Sequence, residues 1–395
     1  MTAEVVIAPS RRFGIISALG IVEILAWGSS YYLSAIIAKE VAAEMTWPIA
    51  WAVGGMAVGS LISGLVAPKV GRLIAARGGR KTVAGGSLVL AAGLALLGIS
   101  VDLVSFFAAW IIIGLGMSAT LYNAAFSTLG RIFGDKARPA ISTLTLFGGF
   151  ASTVCWPLTT LLMESYGWRS ACFAYAVIHL AISLPLILFG LPAEDHQPES
   201  AKASSGDVTS DAPPVHRLVF PILAVISIGC DVISSVISVH LITLMTERGY
   251  SLAFAVSMGM LLGPAQVGAR IIEMTVGRKL HPIWTLIASV ALTSTGMVLL
   301  LVDFPLPGVA LVLYGAGNGI WSIARGTLPL ALFGKDRYPV VMGKLARPGL
   351  IAQAAAPTIT AMILSGAGVV PTLTMLVIIG LVNVSLAVGL RRVSR

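Results

Sequence analysis

Twelve apolar runs constrain this chain more than any other feature. Each is about 20 residues long, enough to cross a ~30 Å hydrocarbon core as one helix. The runs cover 13–38, 48–68, 81–100, 103–129, 139–163, 169–191, 218–245, 251–273, 281–301, 306–333, 346–366 and 370–390, spans 1 to 12. Only 11% of the 395 residues are charged, where a soluble domain carries about 25%. That is too few polar side chains to coat soluble domains of this total length. A cytosolic enzyme, a nucleic-acid binder and a disordered chain are excluded. The expected fold class is an all-α polytopic membrane protein with twelve transmembrane helices in two pseudo-symmetric six-helix bundles.

The long polar stretch 192–217 is rich in Pro, Ser and Ala and has no apolar period. It predicts a flexible linker. The organisation is then a tail (1–12), a first bundle (13–191), the linker (192–217), a second bundle (218–390) and a short tail (391–395). Charge sets the orientation. Of 26 Lys and Arg, 22 fall on segments that share a side with the N-terminus. Lys39, Arg169 and Arg248 fall on the other side, and Arg325 lies within span 10. By the positive-inside rule both tails and the linker are cytoplasmic, and the chain belongs in the cell's inner (plasma) membrane. The net charge of +9 then reflects insertion rather than a polyanion-binding face. The first twelve residues lack the layout of a signal peptide and read as a cytoplasmic tail. Cys155, Cys172 and Cys230 lie in separate spans, without CxxC spacing. They imply neither disulfides nor a zinc site.

The halves repeat. At an offset of 200, Phe133-Gly134 matches Phe333-Gly334, Pro139 matches Pro339, Pro157 matches Pro357 and Ser165 matches Ser365. Arg80-Lys81 recurs as Arg278-Lys279. Several matches at one offset, in spans of matching order, indicate duplication. Parallel six-helix repeats characterise a large class of secondary transporters.

Ionisable side chains within spans are costly, at least ~2.5 kcal/mol on insertion scales, and are functional candidates. Glu23 lies ten residues into span 1, about 15 Å deep at ~1.5 Å per residue. Asp231 sits at a similar depth in span 7, the equivalent helix of the second half. Polar stripes surround them. Glu23, Trp27, Ser30, Tyr31 and Ser34 share a helical face, with Tyr32 beside them. Ser227, Asp231, Ser234 and Ser238 do the same in span 7. Asn318, Trp321, Ser322 and Arg325 do so in span 10, and Thr120, Asn123 and Ser127 in span 4 beside Tyr122. A carboxylic acid removed from water favours its neutral form, so Glu23 and Asp231 suit proton coupling. Arg325 cannot deprotonate and needs an anionic partner, from an acid or a bound solute. His179, in span 6, reads as a packing residue, and Pro157, Pro264, Pro329 and Pro357 as kinks that allow rocking.

The loop after span 2 reads Gly71-Arg-Leu73-Ile-Ala-Ala-Arg-Gly78-Gly-Arg80-Lys81. It resembles the major facilitator superfamily signature G-x-L-x-D-R-x-G-x-R-K, with Ala75 and Ala76 in place of Asp and Arg. The resemblance implies a conformational latch built on Gly71, Leu73, Gly78, Arg80 and Lys81. It also implies that spans 1, 4, 7 and 10 line a central cavity. A narrower resemblance is to the monocarboxylate and oxalate–formate transporter group. It rests on Phe133-Gly-Asp-Lys-Ala-Arg-Pro139, with Gly148 and Pro157 following, on Gln266-Val-Gly-Ala-Arg270, and on Glu23 with Trp27-Gly28. In the second motif Gln266 stands where the group has Asp. This resemblance implies a small organic anion as substrate.

The expected function is secondary active transport of a small, monocarboxylate-like anion by alternating access, coupled to protons. Trp27, Tyr31, Tyr32, Tyr122, Asn123, Gln266, Arg270, Asn318, Trp321 and Arg325 would bind it, and Glu23 and Asp231 would couple protons. The alternative is proton-antiport efflux of a toxic solute, such as a drug or a metalloid oxyacid. Expected partners are the solute, protons and the lipid bilayer, with no nucleic acid, no metal and no cofactor, and the chain acting as a monomer. No phosphate-binding loop G-x-x-x-x-G-K-[ST], no HExxH and no nucleophile–base pair points to an enzyme.

Overall fold

Helix extends further than the apolar runs. The computed structural model describes residues 9–193 and 216–393, so most of the expected linker and the ends of both tails lie outside the described residues. Among the described residues, ten helices are long and apolar enough to cross a membrane. They are Ser10–Glu44, Ile49–Arg77, Gly79–Gly98, Leu103–Lys136, Arg138–Gly190, Val219–Thr246, Leu252–Thr275, Pro282–Leu301, Pro307–Ala367 and Val369–Val393. Two are double. Arg138–Gly190 reverses at Gly167 (φ 81°) and Pro307–Ala367 at Gly334 (φ 72°). With spans 5–6 and 10–11 so divided, ten helices make twelve crossings. Gly134, the repeat partner of Gly334, also has positive φ (54°). Only glycine takes that conformation without steric cost, so the duplication is visible in the backbone.

The basic segments 69–77 and 335–345, expected as loops, are helical. Hydropathy marks where lipid lies, not where the i→i−4 ladder stops, and the ladder continues into the headgroup region. Span 4 starts at a capping box: Ser105 N–H donates to Asp102 Oδ1 at 2.7 Å, and Asp102 N–H to Ser105 Oγ at 3.2 Å. Those bonds hold the exposed Asp102 carboxyl below the usual carboxylate range. The third span of each half is capped at its far end by an arginine. Arg169 donates to the Gly98 and Ser100 carbonyls at 3.1 and 2.7 Å, and Arg248 to those of Leu300 and Leu301. Each donation satisfies carbonyls that the helix end leaves open.

Each half has its own apolar core. Leu90, Leu94, Phe106 and Trp110 centre the first, and Ile233, Val236, Leu311 and Tyr314 the second. The halves join closely on the face that carries both described chain ends, the terminal face. Span 2 meets span 11 backbone to backbone. A methyl group on Gly64 would come within 2.9 Å of Leu350 Cβ, one on Gly71 would overlap the Pro339 carbonyl, and one on Gly343 the Ala67 carbonyl. Span 4 meets span 11 where Gly130 lies under the Tyr338 ring. Span 5 meets span 8 through Arg138, which donates to Glu273 Oε1 at 3.2 Å and to the carbonyls of Gly277 and Leu280 at 2.9 and 2.5 Å.

Candidate substrate cavity

Span 1 bears the densest set of site residues. Its α-helix gives way to a π-helical turn over Gly28–Tyr32 before resuming at Leu33. The wider turn places Tyr31 and Tyr32 with Trp27 in one aromatic cluster. Trp27 lies 5.6 Å from Tyr31, 6.4 Å from Tyr32 and 5.4 Å from Tyr122, between ring centroids. Trp156 of span 5 closes the cluster, 5.9 Å from Tyr32. Glu23 is fully buried. Its Oε2 accepts from Trp27 Nε1 at 2.9 Å, one turn along the same helix, and its Oε1 has no hydrogen-bond partner among the described residues.

Span 4 is broken at this depth. Helix Leu103–Thr120 stops, Leu121 is extended (ψ 177°), and helix Tyr122–Phe133 begins. Tyr122 and Asn123 therefore open a new helix in mid-membrane, whose first N–H groups carry the positive end of its dipole. The Tyr122 hydroxyl donates to the Thr145 carbonyl at 3.4 Å, and Arg270 Nη1 to the same oxygen at 2.8 Å. Arg270 Nε donates to the Gly319 carbonyl at 3.3 Å. One arginine of span 8 thus ties span 5 to span 10 across the two halves. It is buried, although the sequence places it near the terminal face. It forms no pair with Glu273, which belongs to Arg138.

Asp231 lies in span 7 opposite span 10. Arg325 Nη1 is 3.6 Å from Asp231 Oδ1, and Trp321 Nε1 donates to that oxygen at 3.4 Å. The backbone of Gly349 stands against Oδ2, where a methyl group would overlap it. These contacts are long for a charge-assisted bond, which prefers about 2.7–2.9 Å. The pair lines a small pocket. Asn123, Ser227 and Trp321 line it with the charges, and so do Leu223, Leu328, Met342 and Leu345. The Tyr31 hydroxyl reaches from span 1 toward Ser238 and Gln353 of the second half, joining the aromatic cluster to the ion pair.

Span 11 is kinked by Pro357, whose missing N–H frees the Gln353 carbonyl. Ser235 Oγ fills that gap at 2.9 Å, and His240 Nε2 contacts the Pro357 carbonyl at 2.9 Å. All three cysteines are buried as free thiols.

Residues 16–357 match the Major Facilitator Superfamily. The chain belongs to this superfamily. A search of curated proteins finds no match. Among solved structures it is similar to the human organic anion transporter MFSD10 (TETRAN), with a TM-score of 0.75 at 17% identity, over 96% of this chain and 100% of that one. It is similar to the proton:xylose symporter XylE bound to a bromodeoxyglucose, with a TM-score of 0.76 at 12% identity, over 97% and 96%. It is also similar to FucP in the outward conformation, with a TM-score of 0.75 at 14% identity, over 96% and 98%. The superfamily member is therefore a multi-pass membrane protein with a secondary-transporter fold.

Within this fold the structure gathers Trp27, Tyr31, Tyr32 and Tyr122 into one wall, and Asn123, Asp231, Trp321 and Arg325 around one cavity. Gln266 contributes backbone packed against Gly319. Asn318 is half-buried in span 10. The loop motif divides by role. Gly71 packs on span 11, Gly78 (φ 86°) makes the turn into span 3, and Leu73 and Arg80 are half-buried while Lys81 is exposed. Arg131 donates to the Ala75 carbonyl, at the position where the family signature has its Asp. Sequence reasoning missed Trp156, Gln353 and the Arg138–Glu273 pair. Arg138 lies inside the quoted fifth-span motif, which marked the segment but not its partner.

Proposed function

We propose that this chain is a proton-coupled secondary transporter of a small organic anion, working by alternating access. The reading rests on one observation: a loosely seated Asp231–Arg325 pair lines a small pocket that polar and apolar side chains share. Arg325 keeps its charge at all relevant pH. An incoming carboxylate competes with Asp231 for it, and the displaced acid takes up a proton instead of leaving an unpaired buried charge. Anion and proton then move together. The amide end of the broken fourth span, at Tyr122 and Asn123, adds positive potential beside Arg325. Glu23, which has no cation among its bonded partners, is the second proton carrier.

Both tails lie in the cytoplasm, by the positive-inside rule, and the terminal face is cytoplasmic. The described state, joined along that face by spans 2 and 11 and by Arg138, then faces outward. Rocking about the midplane presents the same cavity to the inside. An organic anion is also the substrate class of the structural neighbour MFSD10.

The purified protein in proteoliposomes, tested by counterflow against a panel of small carboxylates and a panel of cationic drugs, decides the substrate class. Exchange of carboxylates, lost in Arg325→Ala, is the expected result. Carboxylate exchange that survives Arg325→Ala removes the assignment. A second reading, proton-antiport export of a flat apolar solute, is favoured by the aromatic cluster of Trp27, Tyr31, Tyr32, Tyr122 and Trp156. Exchange restricted to the cationic panel selects it.

A further inference from the structure

A second polar constellation lies behind the cavity. Span 6 also contains a π-helical turn, His179–Ser183, and it packs against span 3 and span 1. The two π turns of the first half meet through one bond: Ser29 Oγ and His179 Nε2 are 2.7 Å apart, with both residues fully buried. The flanking residues of both turns are apolar, with Ala26, Leu90, Tyr175 and Ala176 in the core of the first half. His179 Nδ1 and the hydroxyls of Ser183 and Ser87 are buried without a hydrogen-bond partner.

A π turn forgoes the regular i→i−4 ladder, and such turns concentrate at functional sites. Two positions apart on the turn, Ser29 and Tyr31 project to opposite sides of the segment. Ser29 points back to span 6, and Tyr31 points forward to Ser238 and Gln353. The segment is held on its other flank by close packing. Gly28 lies against Cys155, where a methyl group would overlap the sulfur. The side chain of Ser30 is turned back to the Ala26 carbonyl at 2.5 Å.

We propose that His179 is a positioning residue for the substrate cavity. Through Ser29 it fixes the rotation of the span 1 π turn, and with it the placement of Tyr31 and Tyr32. It touches no solute. The charged groups of the cavity belong to other elements, so His179 acts as a neutral hydrogen-bonding ring and not as a proton carrier. The effect on transport rests on the cavity reading given above. The effect on the segment does not, and the two are measured separately.

Hydrogen–deuterium exchange in nanodiscs, followed on peptides covering 27–33, reads the segment without substrate. His179→Ala and Ser29→Ala are expected to speed exchange over 28–32 by about 10-fold or more, leaving span 3 peptides unchanged. His179→Gln, which keeps a hydrogen-bonding nitrogen, is expected to restore protection. Transport of benzoate, a flat monoanion, should then show KM raised about 5-fold in the two alanine variants, Vmax within twofold, and recovery in His179→Gln. Unchanged exchange over 28–32 in Ser29→Ala, the milder variant, overturns the proposal. So does a His179→Gln protein that behaves like His179→Ala, because ring volume and not the bond would then matter. If the segment loosens as expected but the wild type does not move benzoate, the substrate class is wrong and the positioning role stands.

Discussion

The two halves share a scaffold and differ in how each treats its buried acid. In the first half Glu23 is tied to Trp27, a neighbour on its own helix. In the second, Asp231 is tied to another helix and to a cation, through Trp321 and Arg325. An acid bonded to an indole has a donor there but no cation to balance a charge. An acid paired with arginine is stable as a charge, and its release depends on what happens to the arginine. On the proposed reading, Glu23 is a proton carrier, and Asp231 is a counter-ion that a solute can displace and that then takes up a proton.

The largest effect should come from the cation. Arg325→Ala is expected to lower carboxylate kcat/KM by about 30-fold or more, since truncating a buried charge partner costs roughly 2–5 kcal/mol. Initial rates in proteoliposomes measure it, and a loss under threefold would mean the halves do not differ as described. Next, Glu23→Gln is expected to keep counterflow within about twofold while abolishing accumulation driven by a pH gradient, as it removes the proton but not the shape. Asp231→Asn should instead tighten solute binding and slow release, because Arg325 loses its competitor. Accumulation and exchange measured together separate the two acids. If both variants give the same pattern, the division of labour fails.

A smaller effect is expected at the terminal face. Glu273→Gln weakens the Arg138 contact and should shift the equilibrium toward opening there by about 5- to 10-fold, or ~1 kcal/mol. Labelling of a cysteine placed at that face reports the shift, and unchanged labelling would mean the Arg138 contact does not hold the face closed. The smallest is a pH effect at His281, which caps span 9 by accepting the Ile283 N–H at 3.2 Å. Partial burial and the nearby Arg138 push its imidazole below the ordinary range. The neutral ring is the form held when the face is closed, so the unlatched chain binds more protons. Closure is fullest above the ordinary imidazole range and weakens as pH falls through it. His281→Asn, which keeps a capping oxygen, should flatten that slope, read by the same cysteine labelling at about pH 5.5 and 7.5.

The span order, the reversals and the duplication were legible because each is written locally, in apolar length and in glycine at a fixed offset. The polar stripes grouped Trp27 with Tyr31, whose rings meet, and marked Asp231 and Arg325, which pair across helices, because helical periodicity is local too. Partnership was not legible. Nothing in the Arg270 segment says that its guanidinium reaches Thr145, or that Glu273 is claimed by Arg138 from 135 residues away. Helix type was hidden as well. The π turns at Gly28–Tyr32 and His179–Ser183 carry no composition of their own, and their connection joins residues 150 apart. His179, read from sequence as a packing residue, is in fact hydrogen-bonded to the back of the cavity wall.

The seam between spans 2 and 11 has a mechanical consequence. At Gly71 and Gly343 the two helices touch through backbone, and at Gly64 span 11 presents Leu350 Cβ and the Arg347 carbonyl. Interlocked side chains must change rotamer before two helices can part, but smooth surfaces need only roll. The seam behaves as a bearing. It holds the halves in register while they are closed and lets them separate without repacking, so the resistance to opening is concentrated in a few replaceable bonds such as that of Arg138.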